Sequence, residues 1–315
     1  ALRTNAKAAG KMIKYGVAYK LKKAGFILSF VILPTITFLV FYVYVNIDAF
    51  AMSFQQTIDG EKIWTLNNFK DVFTNLFPPN DEMKEAFRNT FITFGVNMIM
   101  FIVGVFVSYF LYKKIFLYKA FRVIFYLPSI LSAVVLCAIY YNLLETDECR
   151  NFVQKLYGLS EPPRIFSDSR FANKAVIINM IWLTFPGNLI IWGGTFSRVP
   201  DGVIESAKID GVNWVQEAFK IIIPIVWPTF ALMFVLQIAG IFGASGQVFL
   251  LTMGTEGTQT ISNWMYLQVY SVAINNSSNA FNYMSALGLF LTVISCAISL
   301  TIRKISGKVF QGVEY

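Results

Sequence analysis

The feature that most constrains this chain is a set of long segments without a single charged side chain. Four of them are 22 to 24 residues long, and a helix of that length, rising about 1.5 Å per residue, crosses about 30 Å of hydrocarbon. Two longer uncharged runs, 221–255 and 257–302, each contain a strongly apolar part. The sequence therefore predicts an all-α, polytopic membrane protein with six membrane-spanning helices. Their expected bounds are 24–47, 89–112, 123–144, 175–197, 224–244 and 283–302.

The overall composition excludes a soluble globule. Hydrophobic residues make up 56% of the 315 residues and charged residues only 14%, whereas soluble domains carry about 25% charge. The chain has no histidine, which excludes Ser-His-Asp and Cys-His catalysis and histidine-ligated metals. Its three cysteines are scattered, and it has no P-loop to hold a nucleotide phosphate. We therefore expect no catalytic, cofactor or metal site in this chain.

The distribution of charge predicts the orientation in the membrane. With six spans, both termini lie on one side together with the loops 113–122 and 198–220. That side carries 17 basic and 5 acidic residues, and the other side 9 basic and 13 acidic. Because basic residues mark the cytoplasmic side, both termini are expected in the cytoplasm, and the net charge of +8 needs no nucleic-acid partner. Residues 1–23 should form an amphipathic segment on the cytoplasmic surface, and 303–315 a cytoplasmic tail.

The interior of the predicted spans contains no Asp, Glu, Lys or Arg. Transporters driven by ion gradients and voltage sensors usually place such groups within their spans, so neither function is expected here. Because a nucleotide-binding loop is also absent, another chain must supply the energy for any transport.

The predicted cytoplasmic loop 198–223 has the most specific local pattern. Asp201 is a good helix N-cap and Gly211 a good helix end, while Asn213 and Gln216 resemble a second capping box. The pattern predicts two short helices bent at Gly211. From the chemistry alone, an amphipathic connector resting on the lipid surface explains the loop equally well.

Residues 205–224 of this loop follow the pattern E-S-A-x3-G-x9-I-x-I-P. The pattern resembles the EAA signature of permease subunits in binding-protein-dependent ABC importers, E-A-A-x3-G-x9-I-x-L-P, with every spacing kept and two conservative departures. The resemblance implies a type I ABC importer permease fold with a coupling helix that docks on a cytoplasmic ATPase. The residues it implies for this coupling role are Glu205, Ser206, Ala207, Asp210, Gly211 and Pro224.

Further elements are similar to the carbohydrate branch of these permeases, in particular to first subunits of the maltose and glycerol-phosphate types. They are W-T-L-N-N-F at 64–69, A-F-R-N-T at 86–90, F-R-x3-Y-L-P at 121–128 and L-L-T-M-G at 250–254. After the last element, Thr-Glu replaces the Gly-Pro of the family. This departure bears on the class of substrate and not on the resemblance to the family.

The resemblance implies a transport subunit without its own catalytic site, in the cytoplasmic (inner) membrane of a prokaryote. The chain itself would bind no cofactor. Its partners would be a second permease subunit, two cytoplasmic ATPase subunits that bind ATP and Mg²⁺, and an extracytoplasmic solute-binding protein.

Two alternatives to a sugar or oligosaccharide importer stay open at this point. One is an ABC permease for another solute, such as glycerol phosphate or a peptide, although a path for an anion would need Lys or Arg within the spans. The other is a polytopic membrane transferase, which would need paired catalytic charges near a membrane face. The sequence shows neither pattern.

Polar and aromatic residues within the predicted spans are candidates for a solute path, because sugars are bound by aromatic stacking and amide hydrogen bonds. A single Asn or Gln in a helix bundle also commonly bonds a neighbouring helix, so each candidate has this second interpretation. The small residues at 240–246 either allow close helix packing or widen the path for a bulkier oligosaccharide. The candidates are Asn97, Tyr126, Asn179, Trp182, Asn188 and Gln237.

Overall fold

The computed structural model describes residues 2–58, 61–76, 81–243, 246–275 and 278–309. Nearly all regular elements in these residues are helices. The exception is an antiparallel hairpin of β1 (Gln55–Ile58) and β2 (Glu61–Trp64), so the expectation of an all-α chain is wrong in this detail. The sequence between the strands is Asp-Gly, a pair that two-residue hairpin turns favour.

The first helix is longer than its predicted span. It runs without a break through α1 (Leu2–Phe38), a π-helical segment (Leu39–Tyr44) and α2 (Val45–Ser53). Residues 22–53 are long and apolar enough to cross a membrane. Residues 2–23 continue directly into this helix, and their predicted position on the cytoplasmic surface stays a prediction.

Four further helices are long and apolar enough to cross a membrane. They are α4 (Asp81–Tyr112), α8 (Ala172–Phe196), the continuous helix Trp214–Ala239, and Asn279–Gly307 within α14 (Ser278–Val309). Their charged residues lie near the helix ends. Counting uncharged runs finds these helices because an unpaired charge is costly in the middle of a bilayer.

The segment predicted as the third span, 123–144, is not one straight helix. It is split between α5 (Tyr118–Ile130) and α6 (Ala133–Leu144), which meet at 102°. The break falls at Leu131 and Ser132, whose backbone is extended, and neither half, at about 18 to 20 Å, is as long as the hydrocarbon is thick. The structure therefore has a bent pair of helices in place of one straight helix, and the crossing of the membrane by this segment stays a prediction. The described residues contain five candidate spans, or six if the bent pair counts as one.

We number the spans in chain order, with the bent pair as span three. Span one is 22–53, span two α4, span three α5 and α6, span four α8, span five 214–239 and span six 279–307. Shorter elements connect them. They are α3 (Asn67–Leu76), α7 (Asp147–Tyr157), a 3₁₀ turn (Ile165–Ser167), α9 (Asp201–Ile209), α12 (Gly246–Leu251) and α13 (Ile261–Asn275). Span five itself consists of α10 (Trp214–Gln216), a π-helical segment (Glu217–Ile222) and α11 (Ile223–Ala239).

Buried apolar side chains form three clusters. The first joins spans two, four and five and includes Phe101, Trp192, Phe196, Ile204 and Ile222. The second lies under α3, α13 and span six and includes Val72, Leu76, Ile261, Trp264 and Leu287. The third packs span three against span four and α12 and includes Cys137, Ile165, Phe166, Val176 and Val248. By contrast, the large apolar side chains of span one are exposed, as expected for a surface that lipid or another subunit covers.

Candidate coupling surface and solute path

The helix α9 carries the residues predicted to contact an ATPase. Asp201 is its first residue, and Pro200 occupies the N-cap position without a side-chain cap, so the predicted capping role of Asp201 is wrong by one position. A carboxylate in the first turn still interacts favourably with the helix dipole. On the buried side of α9, Ile204 and Ala207 are 7% and 4% exposed, and Ile204 belongs to the first buried cluster. α9 is thereby attached through Ile204 to the apolar cluster of spans two, four and five.

Gly211 ends this helix as the sequence predicts. Its φ is +72°, in the left-handed region that favours glycine. The N–H of Gly211 donates to the carbonyl of Lys208 at 3.2 Å, and the N–H of Val212 donates to the carbonyl of Ala207 at 3.1 Å. These two bonds make a Schellman motif, which reverses the chain within two residues.

The predicted capping box directly after this turn is also confirmed. Asn213 Oδ1 accepts from the N–H of Gln216 at 2.9 Å, and Gln216 Oε1 accepts from the N–H of Asn213 at 3.2 Å. The helix that starts here is not a separate short helix, however, but the beginning of span five. The bend at Gly211 therefore connects α9 directly to a membrane-spanning helix.

Four of the six predicted coupling residues line one groove between α9 and the start of span five. The groove has a volume of about 580 Å³. Glu205 and Gly211 are exposed on the same surface, outside the groove lining. The Ser206 hydroxyl donates to the carbonyl of Gly202 at 2.8 Å. The lining residues are Gly202, Val203, Ser206, Ala207, Asp210, Lys220, Ile221, Pro224 and Ile225.

An ion pair next to this groove was not anticipated from the sequence. Lys113 Nζ, just beyond the end of span two, lies 2.8 Å from both carboxylate oxygens of Glu217 in span five. The Glu217 side chain is 5% exposed. The 104 residues that separate the two positions explain why no local sequence pattern could have paired them.

At the opposite end of span two, a buried hydrogen-bond network involves one of the elements that resemble the carbohydrate branch. Asn89 Nδ2 donates to the carbonyls of Gly257 and Gln259 at 2.8 and 2.9 Å, and Asn89 Oδ1 accepts from Asn173 Nδ2 at 3.0 Å. Thr90 Oγ1 accepts from the N–H of Ile261 at 3.0 Å. The element 86–90 is thus bonded to the loop that follows the element 250–254.

The loop that precedes α8 contains a second charged contact. Asp168 accepts from Nη2 of Arg170 at 2.6 Å and from the backbone N–H of Arg170 at 2.9 Å. The side-chain hydrogen bond from Arg170 is the main reason why the pKa of Asp168 lies below its usual range. This pair stabilises the loop that leads into span four. Its hydrogen bonds involve none of the predicted path residues.

The structure does not gather the six predicted path residues around one cavity. Asn179 and Asn188 are buried on span four. Asn179 Oδ1 accepts from the Cys137 thiol at 3.3 Å, and Asn188 packs against Gly104 of span two. Both contacts favour the interpretation as helix packing, although the Nδ2 atoms of both residues lack a hydrogen-bond partner within the described chain.

The other four candidates are spread over spans two to five. The Tyr126 hydroxyl lies beside Gly193 of span four, and the Trp182 side chain is 40% exposed, with its ring 6.4 Å from that of Tyr140. Asn97 and Gln237 are partly buried. Their assignment to a solute path stays a prediction.

A cavity of about 330 Å³ lies between the end of span five, α13 and span six. Gly243, from the predicted stretch of small residues, contributes to its wall, whereas positions 244 and 245 lie outside the described residues. Most of the lining side chains are small or carry a hydroxyl group, which leaves open space at this position. The lining residues are Ala239, Phe242, Gly243, Ser262, Met265, Gly288, Leu291, Thr292 and Ser295.

Comparison with known proteins decides the family of the chain. Residues 100–310 match the family described as binding-protein-dependent transport system inner membrane component. The chain belongs to this family. The match covers more than half of the chain and includes the coupling loop, so the resemblance seen in the signature is confirmed.

Individual members of the family are distant but cover most of the chain. A probable ABC transporter permease protein of Bacillus subtilis, YesP, is 26% identical over 76% of each chain. The arabinooligosaccharides transport system permease protein AraP of the same organism is 25% identical over 88% of this chain and 87% of its own. A solved bacterial alginate ABC transporter, in complex with an alginate pentasaccharide-bound periplasmic protein, matches with a TM-score of 0.73 at 21% identity, over 93% of this chain and 98% of its own.

The chain is thus a multi-pass permease of the bacterial inner membrane and not a catalytic subunit. As a member of the family, it is an inner membrane component of a binding-protein-dependent transport system. No cofactor is known for this type of subunit.

Proposed function

We propose that this permease moves a sugar or oligosaccharide across the inner membrane by alternating access, driven by ATP hydrolysis on its partners. The proposed complex contains a second, different permease subunit, two cytoplasmic ATPase subunits that bind ATP and Mg²⁺, and a solute-binding protein that delivers the sugar. The observation that carries the proposal is the surface made by α9 and the start of span five. This surface presents four of the six signature residues in one groove.

The geometry of this surface suits a coupling role. The apolar side of α9 is buried in the core shared by spans two, four and five, while Glu205 and Asp210 are exposed to a partner. Because the Schellman turn and the capping box leave only a short connection between α9 and span five, a displacement of α9 acts directly on a spanning helix. An ATPase that closes on this surface can therefore change the arrangement of the spans.

Two lines of support favour a carbohydrate over other solutes. AraP is described as a permease for arabinooligosaccharides, and the alginate transporter shares the fold. The predicted path residues are amides and aromatic side chains, which bind sugars well. The spans carry no charged side chain away from their ends, which disfavours a path for glycerol phosphate.

Substitutions in the coupling surface test the proposal. Glu205→Lys reverses an exposed charge, and Gly211→Asp forces a side chain into the left-handed region, so both should abolish uptake while the permease still inserts. Gly158→Asp is the matched control, because Gly158 also has a left-handed backbone with φ +63° and open surroundings and it ends α7, between spans three and four. Uptake, ATPase binding and solute-stimulated hydrolysis should be measured in the reconstituted complex, and the ligand retained by the binding protein should be identified. Normal uptake by both variants would contradict the coupling role, and a retained peptide or glycerol phosphate would contradict the substrate class.

A further inference from the structure

We propose that Lys113 and Glu217 are a positioning pair, which holds the foot of span five (residues 214–222) against the end of span two during transport. With the pair in place, a movement of α9 would displace the spans. Without it, the same movement would only bend the foot of span five. This inference rests on the proposed coupling of α9 to an ATPase.

The pair has the geometry of a strong contact. Lys113 Nζ lies 2.8 Å from each carboxylate oxygen of Glu217, and the two side chains are 25% and 5% exposed. Such a shielded pair is weakened less by water and salt than an exposed one. Among the ion pairs of the described residues, it alone joins two spanning helices.

The position of the pair coincides with a weak point in span five. Proline has no N–H and its ring collides with the carbonyl of the preceding turn, and Pro224 is the second residue after the π-helical segment Glu217–Ile222. The wider turn accommodates this proline inside a continuous helix. A helix with an interrupted hydrogen-bond ladder bends more easily, so its foot needs an external contact to move as a rigid unit. Glu217, the first residue of the widened segment, provides that contact.

Neighbouring contacts also hold the foot of span five against the end of span two. The Tyr109 hydroxyl donates to the carbonyl of Trp214 at 3.2 Å, and the rings of Phe110 and Trp214 are 5.6 Å apart. Ile204 of α9 and Ile222 of span five share one buried cluster with Tyr109 of span two, so apolar side chains connect α9, span two and the foot of span five. The ion pair is the charged contact among them, and together with the Tyr109 hydrogen bond it orients the foot against span two.

The test must separate the loss of positioning from the cost of an orphaned buried charge, because removing one member of a buried pair is strongly destabilising. The double variant Lys113→Met, Glu217→Gln removes both charges and leaves neither unpaired. The exchange variant Lys113→Glu, Glu217→Lys restores the attraction with the positions of the two charges exchanged. Lys114→Met is the matched control, since Lys114 is the adjacent, exposed lysine.

The measurement is the number of solute molecules taken up per ATP hydrolysed, in proteoliposomes that contain the whole complex and its binding protein. We expect this ratio to fall roughly fivefold or more in the charge-free variant, in the range of typical coupling between sites, to recover in the exchange variant, and to stay unchanged in the control. A role limited to stability would lower the amount of assembled complex without changing the ratio.

An unchanged ratio in the charge-free variant would overturn the inference, as would a reduced ratio that the charge exchange does not restore. If the charge-free variant does not assemble, the exchange variant alone tests the inference. A normal ratio in the exchange variant would then support the inference, and a reduced ratio would contradict it. Failure of the proposed function looks different, because the unaltered complex would then show no hydrolysis stimulated by binding protein and solute.

Discussion

At the scale of single residues, two glycines in the loop after α12 have the same backbone conformation but different surroundings. Gly254 and Gly257 have φ values of +86° and +75°. A Cβ on Gly254 would overlap the side chains of Gln259 and Asn263, whereas a Cβ on Gly257 would meet nothing within 4 Å. Gln259 and Asn263 bond to each other at 2.5 Å and are buried, so neither can move aside without breaking the network.

This difference predicts the effects of two alanine substitutions on stability. Gly257→Ala should cost about 1 to 2 kcal/mol for the left-handed backbone alone. Gly254→Ala should cost that amount and about 1 to 3 kcal/mol more for the forced displacement of neighbouring side chains. The measurement is the thermal midpoint of the purified permease in detergent, and equal midpoints for the two variants would contradict the described packing.

A second prediction at this scale concerns Asn89. Asn89→Ala leaves the carbonyls of Gly257 and Gln259 and the amide of Asn173 without their partner, and a buried polar group that loses its hydrogen bond costs about 1 to 3 kcal/mol. Asn97→Ala is the control in the same helix, because Asn97 makes no side-chain hydrogen bond within the described chain. The thermal midpoint should fall clearly for Asn89→Ala and little for Asn97→Ala. A similar fall for both would show that the network contributes nothing specific.

At the scale of elements, the sequence predicts those features whose physical cause lies in neighbouring residues. Lipid excludes unpaired charge along a whole helix, so uncharged runs located the long spanning helices, and the turn at Gly211 and the capping box also have local signatures. The angle between two consecutive helices has no such local signature. The bend between α5 and α6 lies inside one uncharged run, with Pro128 three residues before it as the only hint.

The candidate solute path shows the same limit. Residue type alone suggested Asn179 and Asn188, but whether an amide faces a path or a neighbouring helix depends on how the spans rotate and pack. In the structure, Asn179 contacts Cys137 and Asn188 contacts Gly104, while the assignment of both residues to the path stays a prediction. The pairing of Lys113 with Glu217 depends in the same way on two helices that are distant in sequence.

The cavity at the end of span five gives a prediction at this scale. Gly243→Trp places a large ring in a space of about 330 Å³. If this space belongs to the solute path, uptake of an oligosaccharide should fall by about tenfold, equivalent to about 1.4 kcal/mol, and uptake of a smaller analogue should fall less. Gly25→Trp is the control, because Gly25 in span one is exposed and meets nothing within 4 Å. Loss of complex assembly by Gly243→Trp would instead indicate that the small residues serve helix packing.

At the scale of the whole molecule, the bent span three determines the topology of everything that follows it. If α5 and α6 cross the membrane together, α7 lies outside the cytoplasm, and span four returns the chain to the cytoplasmic side, where α9 can meet the proposed ATPase. If they form a re-entrant loop, α7 stays in the cytoplasm and α9 emerges on the opposite face, away from any ATP. The proposed coupling therefore requires the crossing arrangement, which also places the basic residues Arg303, Lys304 and Lys308 at the end of span six on the cytoplasmic side.

Cys149 distinguishes the two arrangements, because it lies in α7 and is partly exposed. In a variant with Cys137→Ala and Cys296→Ala, Cys149 is the remaining thiol of the chain. We expect a membrane-impermeant maleimide to label it in intact spheroplasts stripped of binding protein. The reporter Lys114→Cys, with Cys149→Ala in addition, marks the other side and should react only after permeabilisation. Labelling of Cys149 only after permeabilisation would mean that α5 and α6 turn back within the membrane, and the six-span topology with both termini in the cytoplasm would be wrong.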